Sequence, residues 1–197
     1  MYYSTEYESP VGTLTLASDG KAVCGLWLDG QKYHGATIPA AMESDDGAPG
    51  FGELRRWLDA YFAGERPAIA DVPLAPIGSE FQRLVWRLLT EIPYGEVTTY
   101  GALADQVARE RGGRRTAPLA VGGAVGHNPI SIIIPCHRVV GSDGSLTGYA
   151  GGLEKKLALL ALEGVDRLRF SMPRGGAGAG PASIQGDRSK SGRSHYG

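Results

Sequence analysis

The chain has 197 residues, 42% of them hydrophobic and 21% charged, with a formal net charge of −1 at pH 7. These values are ordinary for a globular protein of one large or two small domains, and they do not by themselves indicate a nucleic-acid partner. Two cysteines are too few for a disulfide framework and indicate a reducing compartment. No apolar run is long enough to span a bilayer, and residues 1–6 lack the features of a signal peptide, so we expect a cytoplasmic protein without a membrane partner.

The first predicted elements are a small sheet and a helix. Residues 11–17 alternate between apolar and polar side chains, Asp19-Gly20 is a hairpin turn signal, and residues 22–28 read as the partner strand. Residues 39–50 are acidic and typical of a loop. Helical spacing then relates Leu54, Leu58, Tyr61 and Phe62.

Three prolines after residue 66 predict a linker over residues 67–78. The chain therefore divides into one domain over residues 1–72 and a second over residues 79–170.

The second domain is predicted to be mostly helical. Its first helix opens with a possible capping box of Ser79 and Gln82. A short strand around Val97 leads into a helix that carries Leu103 and Val107. A second helix over about residues 116–125 follows a basic loop, which is consistent with a helix-turn-helix unit, and a last helix covers residues 153–163.

The charges are unevenly distributed along the chain. The first 78 residues carry 5 basic and 11 acidic side chains, whereas the second domain is slightly basic. A basic cluster there contains Arg109, Arg111, Arg114 and Arg115. Such a cluster is typical of a phosphate-binding surface, although a solvated loop is the alternative when it stands alone. The glycine-, serine- and arginine-rich residues 171–197 cannot bury a core, so we predict a disordered basic tail.

The most informative segment follows a β-branched run at residues 132–134, which we interpret as a strand, and reads Pro135-Cys136-His137-Arg138. A thiol is a good nucleophile only as the thiolate, and a nearby base or cation favours that form. A buried, inert cysteine at the end of a strand is the alternative interpretation of a Cys-His pair alone.

The flanking residues favour the nucleophile. Asn128-Pro129 precedes the cysteine, and Tyr149-Ala150-Gly151-Gly152 follows it. Over residues 79–164 the chain closely resembles the active domain of the O6-alkylguanine-DNA alkyltransferases, whose mark is this set of elements at compatible spacing. The resemblance implies an α+β fold. A small ribonuclease-H-like sheet-plus-helix domain would be followed by a mostly helical active domain of winged helix-turn-helix type.

The resemblance also implies the reaction. Members of this family transfer the alkyl group of O6-alkylguanine in double-stranded DNA irreversibly to their own cysteine, so that each molecule reacts once. The implied substrates include O4-alkylthymine, and no cofactor or protein partner is required, which suggests a monomer. The damaged nucleotide would flip out of the duplex to reach the thiol.

The family's catalytic positions fall on five residues of this chain. The nucleophile would be Cys136, with His137 taking its proton through a water molecule and Glu163 orienting the histidine, in the logic of a triad. Asn128 would brace the turn before the active-site segment, and Tyr100 would lie near guanine N3. The substrate pocket would be formed by Val139, Tyr149, Ala150, Gly151 and Gly152. Many relatives have serine at the position of Ala150, so a side-chain hydroxyl is missing here.

The DNA-binding positions that follow from the resemblance and the basic cluster are Arg114, Arg115, Leu119, Ala120, Gly122, Gly123 and Arg138. One departs from the commoner pattern, because Leu119 stands where many relatives have an arginine that fills the gap left by the flipped base. Some relatives bind zinc in the first domain, but Cys24 and His34 alone cannot form a structural zinc site, so we predict no metal and a core role for Cys24.

Two other functions are compatible with parts of this pattern. A non-catalytic reader of alkylated DNA would resemble this domain but lack the cysteine. A cysteine hydrolase or redox protein would need an oxyanion arrangement or a resolving cysteine, and Cys24 is far from Cys136 in sequence.

Overall fold

The structure is a computed structural model and describes residues 1–146, 148–166, 168 and 170. The disordered tail predicted over residues 171–197 lies outside the described residues. Within them, no helix is both long and apolar enough to cross a membrane.

The first domain is built on a four-stranded sheet in the order β3-β2-β1-β4. Its strands are β1 (Tyr2–Ser9), β2 (Gly12–Ser18), β3 (Val23–Leu28) and β4 (Met42–Ser44). The pairs β1–β2 and β2–β3 are antiparallel, and β4 runs parallel to β1. The predicted strands β2 and β3 are confirmed. Strand β1 was not predicted, because its mostly half-exposed side chains alternate only weakly between the two faces of the strand. Strand β4 was not predicted either, because it has only three residues and lies in an acidic segment.

One helix covers this sheet. It is α1 (Phe51–Phe62), and its buried face presents Phe51, Leu54, Leu58 and Tyr61 to the core. The spacing of Leu54, Leu58 and Tyr61 predicted this face correctly. The other predicted core residue of the domain, Cys24, is fully buried beside Trp27, as expected.

The second domain is helical with a minimal sheet. Its helices are α2 (Glu80–Thr90), α3 (Tyr100–Glu110), α4 (Pro118–Gly126) and α5 (Leu153–Leu162). The strands β5 (Thr98–Thr99) and β6 (Val139–Val140) form a parallel pair. The capping box at the start of α2 is confirmed, since the Ser79 and Gln82 side chains bond each other's backbone N–H groups. Helices α3 and α4 contact each other across the basic loop, which is consistent with a helix-turn-helix unit.

Two segments differ from their predictions. Residues 132–134 form turns rather than a strand, because the N–H groups of Ile133 and Ile134 bond to Ser131 and Ile130 in the same segment. The three isoleucines are nevertheless buried, so their composition did not distinguish a strand from buried turns. The predicted linker at residues 67–78 contains a 3-10 turn (Ile69–Asp71) and the buried Val72, so part of it belongs to the core.

The outer edge of β3 joins the two domains. Val23 donates its N–H to Pro73 and accepts from Ala75, both at 2.8 Å. Further along the same edge, Leu26 donates its N–H to the Pro129 carbonyl and accepts from the Ser131 N–H, also at 2.8 Å. An unpaired sheet edge exposes a row of backbone donors and acceptors. Here the interdomain segment and the Asn-Pro segment before Cys136 occupy them.

Candidate active site

Cys136 is the first residue of a 3-10 turn (Cys136–Arg138) and is only 5% exposed. Its backbone N–H donates to the Ile134 carbonyl at 2.8 Å, which tightens the chain just before the turn. The thiol therefore lies at the inner end of a buried segment, and a substrate must come to it.

Asn128 braces this segment. Its side-chain Nδ2 donates to the Ile134 carbonyl at 2.7 Å, and its Oδ1 accepts from the Ile130 N–H at 3.1 Å. The buried amide thus spans both ends of the turns that lead to Cys136. This geometry matches the bracing position expected for Asn128.

His137 and Glu163 form a fully buried pair. His137 Nε2 lies 2.7 Å from Glu163 Oε1, and its Nδ1 is buried without a hydrogen-bond partner among the residues described. Burial lowers the pKa of His137, an effect that Glu163 partly opposes. The imidazole is therefore poised to be neutral near pH 7, which is the form that accepts a proton.

Glu163 caps the end of α5 and accepts hydrogen bonds from several directions. Besides His137, its donors are the Tyr61 hydroxyl at 2.8 Å, the Arg138 guanidinium at 2.8 and 2.9 Å, and the Gly95 N–H at 3.2 Å. Burial raises the pKa of this carboxyl, but the bonds from His137 and Arg138 outweigh it and bring the pKa to about 2. The carboxylate is a fixed negative charge that holds the histidine ring in place.

The position of Arg138 corrects one prediction. We expected this residue among the DNA contacts, but its side chain is buried and occupied. Its Nε and Nη2 bond Glu163, and its Nη1 donates to the Ile92 carbonyl at 2.6 Å. Arg138, two residues after the candidate nucleophile, therefore neutralises the buried Glu163 carboxylate and does not face a phosphate.

Opposing influences act on the Cys136 thiol. Burial raises the pKa of this thiol and outweighs Asn128, Lys156 and Ser131, which each act to lower it. The other cysteine, Cys24, has its pKa raised to about 11, mainly by burial. The surroundings of Cys136 thus contain the groups that favour a thiolate.

Lys156 is a functional candidate that the sequence analysis missed. It is fully buried, donates from Nζ to the Val139 carbonyl at 2.6 Å, and lies 5.9 Å from the centre of the Tyr149 ring. Burial lowers its pKa to about 8, although the Cys136 charge acts to raise it. Lys156 and Cys136 each act on the pKa of the other, which makes this lysine a candidate for tuning the thiol.

A sequence signal for this lysine was present. Lys156 lies three residues after Leu153 and four before Leu160, which places it on the apolar face of α5. A lysine on the buried face of a helix is unusual in a globular protein.

We predict that Lys156→Met slows the reaction of Cys136 with iodoacetamide near pH 7.5. Loss of the cation raises the pKa of the thiol, so the rate profile shifts to higher pH. The difference from wild type should narrow above about pH 8, where Lys156 itself loses its proton. Rates measured between pH 6 and 9.5 give the profile, with Lys155→Met on the same helix as the control. Superimposable profiles would contradict the assignment.

The predicted substrate residues differ in their position relative to one cavity beside the active-site loop. Tyr149 and Ala150 line a cavity of about 260 Å³, together with the glycine-rich side of α4. The Tyr149 hydroxyl is buried and has no hydrogen-bond partner in the part of the chain described. Gly151 and Gly152 follow this wall, and a side chain on Gly151 would meet the Tyr149 ring at 2.9 Å. Val139 is completely buried in β6 and does not line the cavity.

Tyr100 stands at the first position of α3, beside the same cavity. Its ring faces Gly122 of α4, and its hydroxyl lies 3.5 Å from the Gly148 carbonyl. Burial and then the charge of Cys136 raise the pKa of Tyr100 to about 12. The phenol thus keeps its proton and remains a donor near the sulfur.

The predicted DNA-contacting helix has an exposed N-terminal half. Leu119 is 88% exposed, and Ala120 is exposed beside it. Arg114 and Arg115 are exposed in the loop before α4. The opposite face of α4 buries Val121, Ala124 and Val125. Within the described residues, no three His, Cys, Asp or Glu side chains cluster in a way that could hold a metal ion.

Two family models match the chain in succession. The 6-O-methylguanine DNA methyltransferase ribonuclease-like domain matches residues 1–76, and the DNA binding domain of the same family matches residues 80–165. Among similar curated proteins, a methylated-DNA–protein-cysteine methyltransferase of Haemophilus influenzae is 45% identical over 161 residues, covering 82% of this chain and 86% of that protein. One of Methanosarcina acetivorans is 46% identical over 165 residues, covering 83% and 99%.

Solved structures agree with these matches. The O6-methylguanine methyltransferase of Mycobacterium tuberculosis is 45% identical, with a TM-score of 0.70, covering 83% of this chain and 93% of that one. A structure of the Mycobacterium tuberculosis protein in complex with DNA is 44% identical, with a TM-score of 0.69, covering 86% and 94%. The α+β fold expected from the sequence is therefore confirmed, and this chain belongs to the 6-O-methylguanine DNA methyltransferase family.

Proposed function

We propose that this protein repairs DNA by transferring the alkyl group of O6-alkylguanine to Cys136, once per molecule. The observation that carries the proposal is the buried His137–Glu163 pair beside Cys136, within a chain that matches both domains of the family. Its substrate is double-stranded DNA carrying the lesion, with O4-alkylthymine as a second substrate. It acts as a monomer without a cofactor, in a reducing cytoplasm where its two cysteines stay free.

The transfer is an in-line displacement. His137, through a water molecule, takes the thiol proton, while Glu163 fixes the ring and stabilises its charged form. The sulfur then forms a bond to the alkyl carbon as the bond from that carbon to O6 breaks. The electron pair of the broken bond stays on the guanine, which takes up a proton in place of the one that left the thiol and so becomes neutral guanine. A thioether remains on the protein, and no group in the site can remove it.

Charge that develops on the guanine needs donors in fixed positions. Tyr100, with its raised pKa, is the donor toward N3. The Ala150 N–H is the donor toward O6, in place of the serine hydroxyl of other members. Tyr149 keeps its proton because burial raises the pKa of its phenol well above the ordinary value. Val139, Gly151 and Gly152 support these groups from behind.

Mass spectrometry after incubation with an oligonucleotide containing O6-methylguanine tests the proposal. The expected result is a permanent gain of one methyl group, located on Cys136, with guanine restored in the DNA. Binding without any mass gain would instead indicate a reader of alkylated DNA. Repeated conversion of DNA by unmodified protein would indicate a hydrolase.

We propose that α4 enters the minor groove of DNA, with its small residues Ala120, Gly122 and Gly123 allowing close approach. Leu119 would wedge into the space left by the flipped nucleotide, as apolar side chains do in other minor-groove proteins. The exposed Arg114 and Arg115 would contact phosphates.

We predict that Leu119→Arg speeds repair of duplex DNA by roughly fivefold. An arginine can hydrogen-bond the orphaned cytosine, and one such bond contributes about 1 kcal/mol. Leu119→Ala should slow duplex repair, since nothing would fill the gap. The free base O6-methylguanine needs no flipping and should react equally with all three proteins. If Leu119→Arg has no effect and Arg115→Ala impairs duplex repair far beyond one phosphate contact, the arginine of the loop fills the gap instead.

A further inference from the structure

The cavity beside the active-site loop has a wall from the other domain. Of its lining residues, Gly148, Tyr149 and Ala150 belong to the loop after Cys136, and four others belong to α4 and the residue after it. Two more, Lys32 and Tyr33, belong to the loop that follows β3 in the first domain. The sequence analysis attached no function to this loop.

The loop after β3 is fastened to the active-site loop. The Lys32 N–H donates to the Ala150 carbonyl at 3.0 Å. Behind this bond, the Leu28 side chain packs so close to Gly151 that any side chain there would meet it at 3.0 Å. Lys32 is therefore held beside Ala150, whose N–H we propose as the donor toward guanine O6.

Tyr33 closes the outer side of the cavity by stacking. Its ring lies over the His127 ring with the centroids 3.9 Å apart and an angle of 19° between the planes. His127 is itself fixed, because its Nδ1 lies 2.7 Å from the Gly123 carbonyl. Tyr33 has a backbone φ of 64°, a conformation that is uncommon for a residue other than glycine and is kept where the surroundings require it.

The remaining walls that we compare are formed by small residues or by a buried ring, which leaves this stack as the bulky wall toward the first domain. On the α4 side, neither Gly123 nor Gly126 has any atom within 4 Å of the place where a side chain would begin. On the inner side, Tyr149 is fixed by burial and is near enough to Cys136 for the two to interact electrostatically. Tyr33 and His127 line the same cavity as Tyr149, so a group that extends from a base held against Tyr149 is expected to meet their stack.

We infer that Tyr33, stacked on His127, is a specificity-determining residue that limits the size of the alkyl group this protein accepts. The inference rests on the proposed function, since it concerns the cavity that receives the alkylated base. By this inference a methyl group is small enough to leave the stack untouched, whereas a benzyl group, which is larger by an aromatic ring, would need the space that the Tyr33 ring occupies.

The test compares free O6-methylguanine and free O6-benzylguanine as substrates, so that DNA binding and flipping play no part. The rate constant for modification of Cys136 is measured with each substrate for wild type, Tyr33→Ala and Tyr33→Phe. Tyr33→Ala is expected to raise the benzyl-to-methyl rate ratio at least tenfold, through a faster reaction with the benzyl substrate. Tyr33→Phe keeps the stacked ring and should leave the ratio within twofold of wild type.

Three results would overturn the inference. The first is an unchanged ratio in Tyr33→Ala, and the second is a ratio that rises equally in Tyr33→Phe. The third is a wild-type protein that already accepts benzyl as fast as methyl. A faster benzyl reaction cannot come from misfolding, and the methyl rate in the same preparation reports whether the site is intact. Failure of wild type to take a methyl group from any substrate would instead contradict the proposed function itself.

Discussion

Cys136→Ala is expected to abolish alkyl transfer while leaving affinity for DNA within about twofold of wild type. The other cysteine cannot take its place, because Cys24 is fully buried in a separate cluster with Ala17 and Trp27 and its pKa is raised to about 11. The side chains proposed to contact DNA lie on α4 and the loop before it, and they do not touch the thiol.

Stoichiometry provides the matching measurement. With lesion-bearing DNA in excess, wild type should repair one lesion per molecule and then stop, and Cys24→Ala should do the same. Residual transfer by Cys136→Ala, or sustained turnover by wild type, would contradict the assignment of the nucleophile. A Cys136→Ala protein that has also lost DNA binding would show that the thiol contributes to the shape of the binding surface.

Arg138→Met is expected to destabilise the protein by about 3–5 kcal/mol, the usual cost of leaving a buried charge without its partner. Glu163 would keep its negative charge with only neutral donors around it, and the Ile92 carbonyl would lose its donor. Urea unfolding followed by circular dichroism measures the loss. Arg87→Met is the control, since its ion pairs with Glu91 and Glu110 are exposed and should contribute less than about 1 kcal/mol.

The pH dependence of stability distinguishes this ion pair from simple packing. The pKa of Glu163 falls from its ordinary 4.5 to about 2 on folding, so its contribution is fully present above pH 4.5 and is lost as the pH falls toward 2. That contribution is about 3 kcal/mol in wild type. Without Arg138 the folded pKa rises, and less of the stability should depend on this pH range. Equal acid sensitivity in both proteins would mean that Arg138 does not hold the carboxylate.

Local patterns predicted much of the fold and indicated Cys136 as a candidate nucleophile. Residues close together in sequence specify the capping box of α2, the apolar face of α1 and the hairpin of β2 and β3. His137 and Glu163 are 26 residues apart in sequence, and their pairing was expected only because the chain resembles a known family. Composition predicts the local conformation less well where one pattern suits two conformations, as with the isoleucines before Cys136.

Contacts between the domains could not be predicted in this way. Tyr61 bonds Glu163 across 102 residues, and Lys32 and Tyr33 reach the active-site loop from the first domain. No periodicity or motif specifies such a meeting, because it depends on how two separately patterned regions pack. Arg138 was misplaced for a related reason, since a charged side chain in a family with a DNA substrate suggests a surface position unless its buried partner is known.

The hydrogen bonds along the outer edge of β3 have a consequence for how the molecule unfolds. Because Leu26 pairs with the segment that positions Cys136, neither half of the chain can open without exposing the backbone groups of the other. Two regions recognised by separate family models should therefore melt together in a single calorimetric transition, with equal calorimetric and van't Hoff enthalpies. A fragment that contains the second domain alone would lose the hydrogen bonds from β3 that support the segment before Cys136. The first domain thus acts as a folding partner of the catalytic one, which makes the pair one cooperative unit.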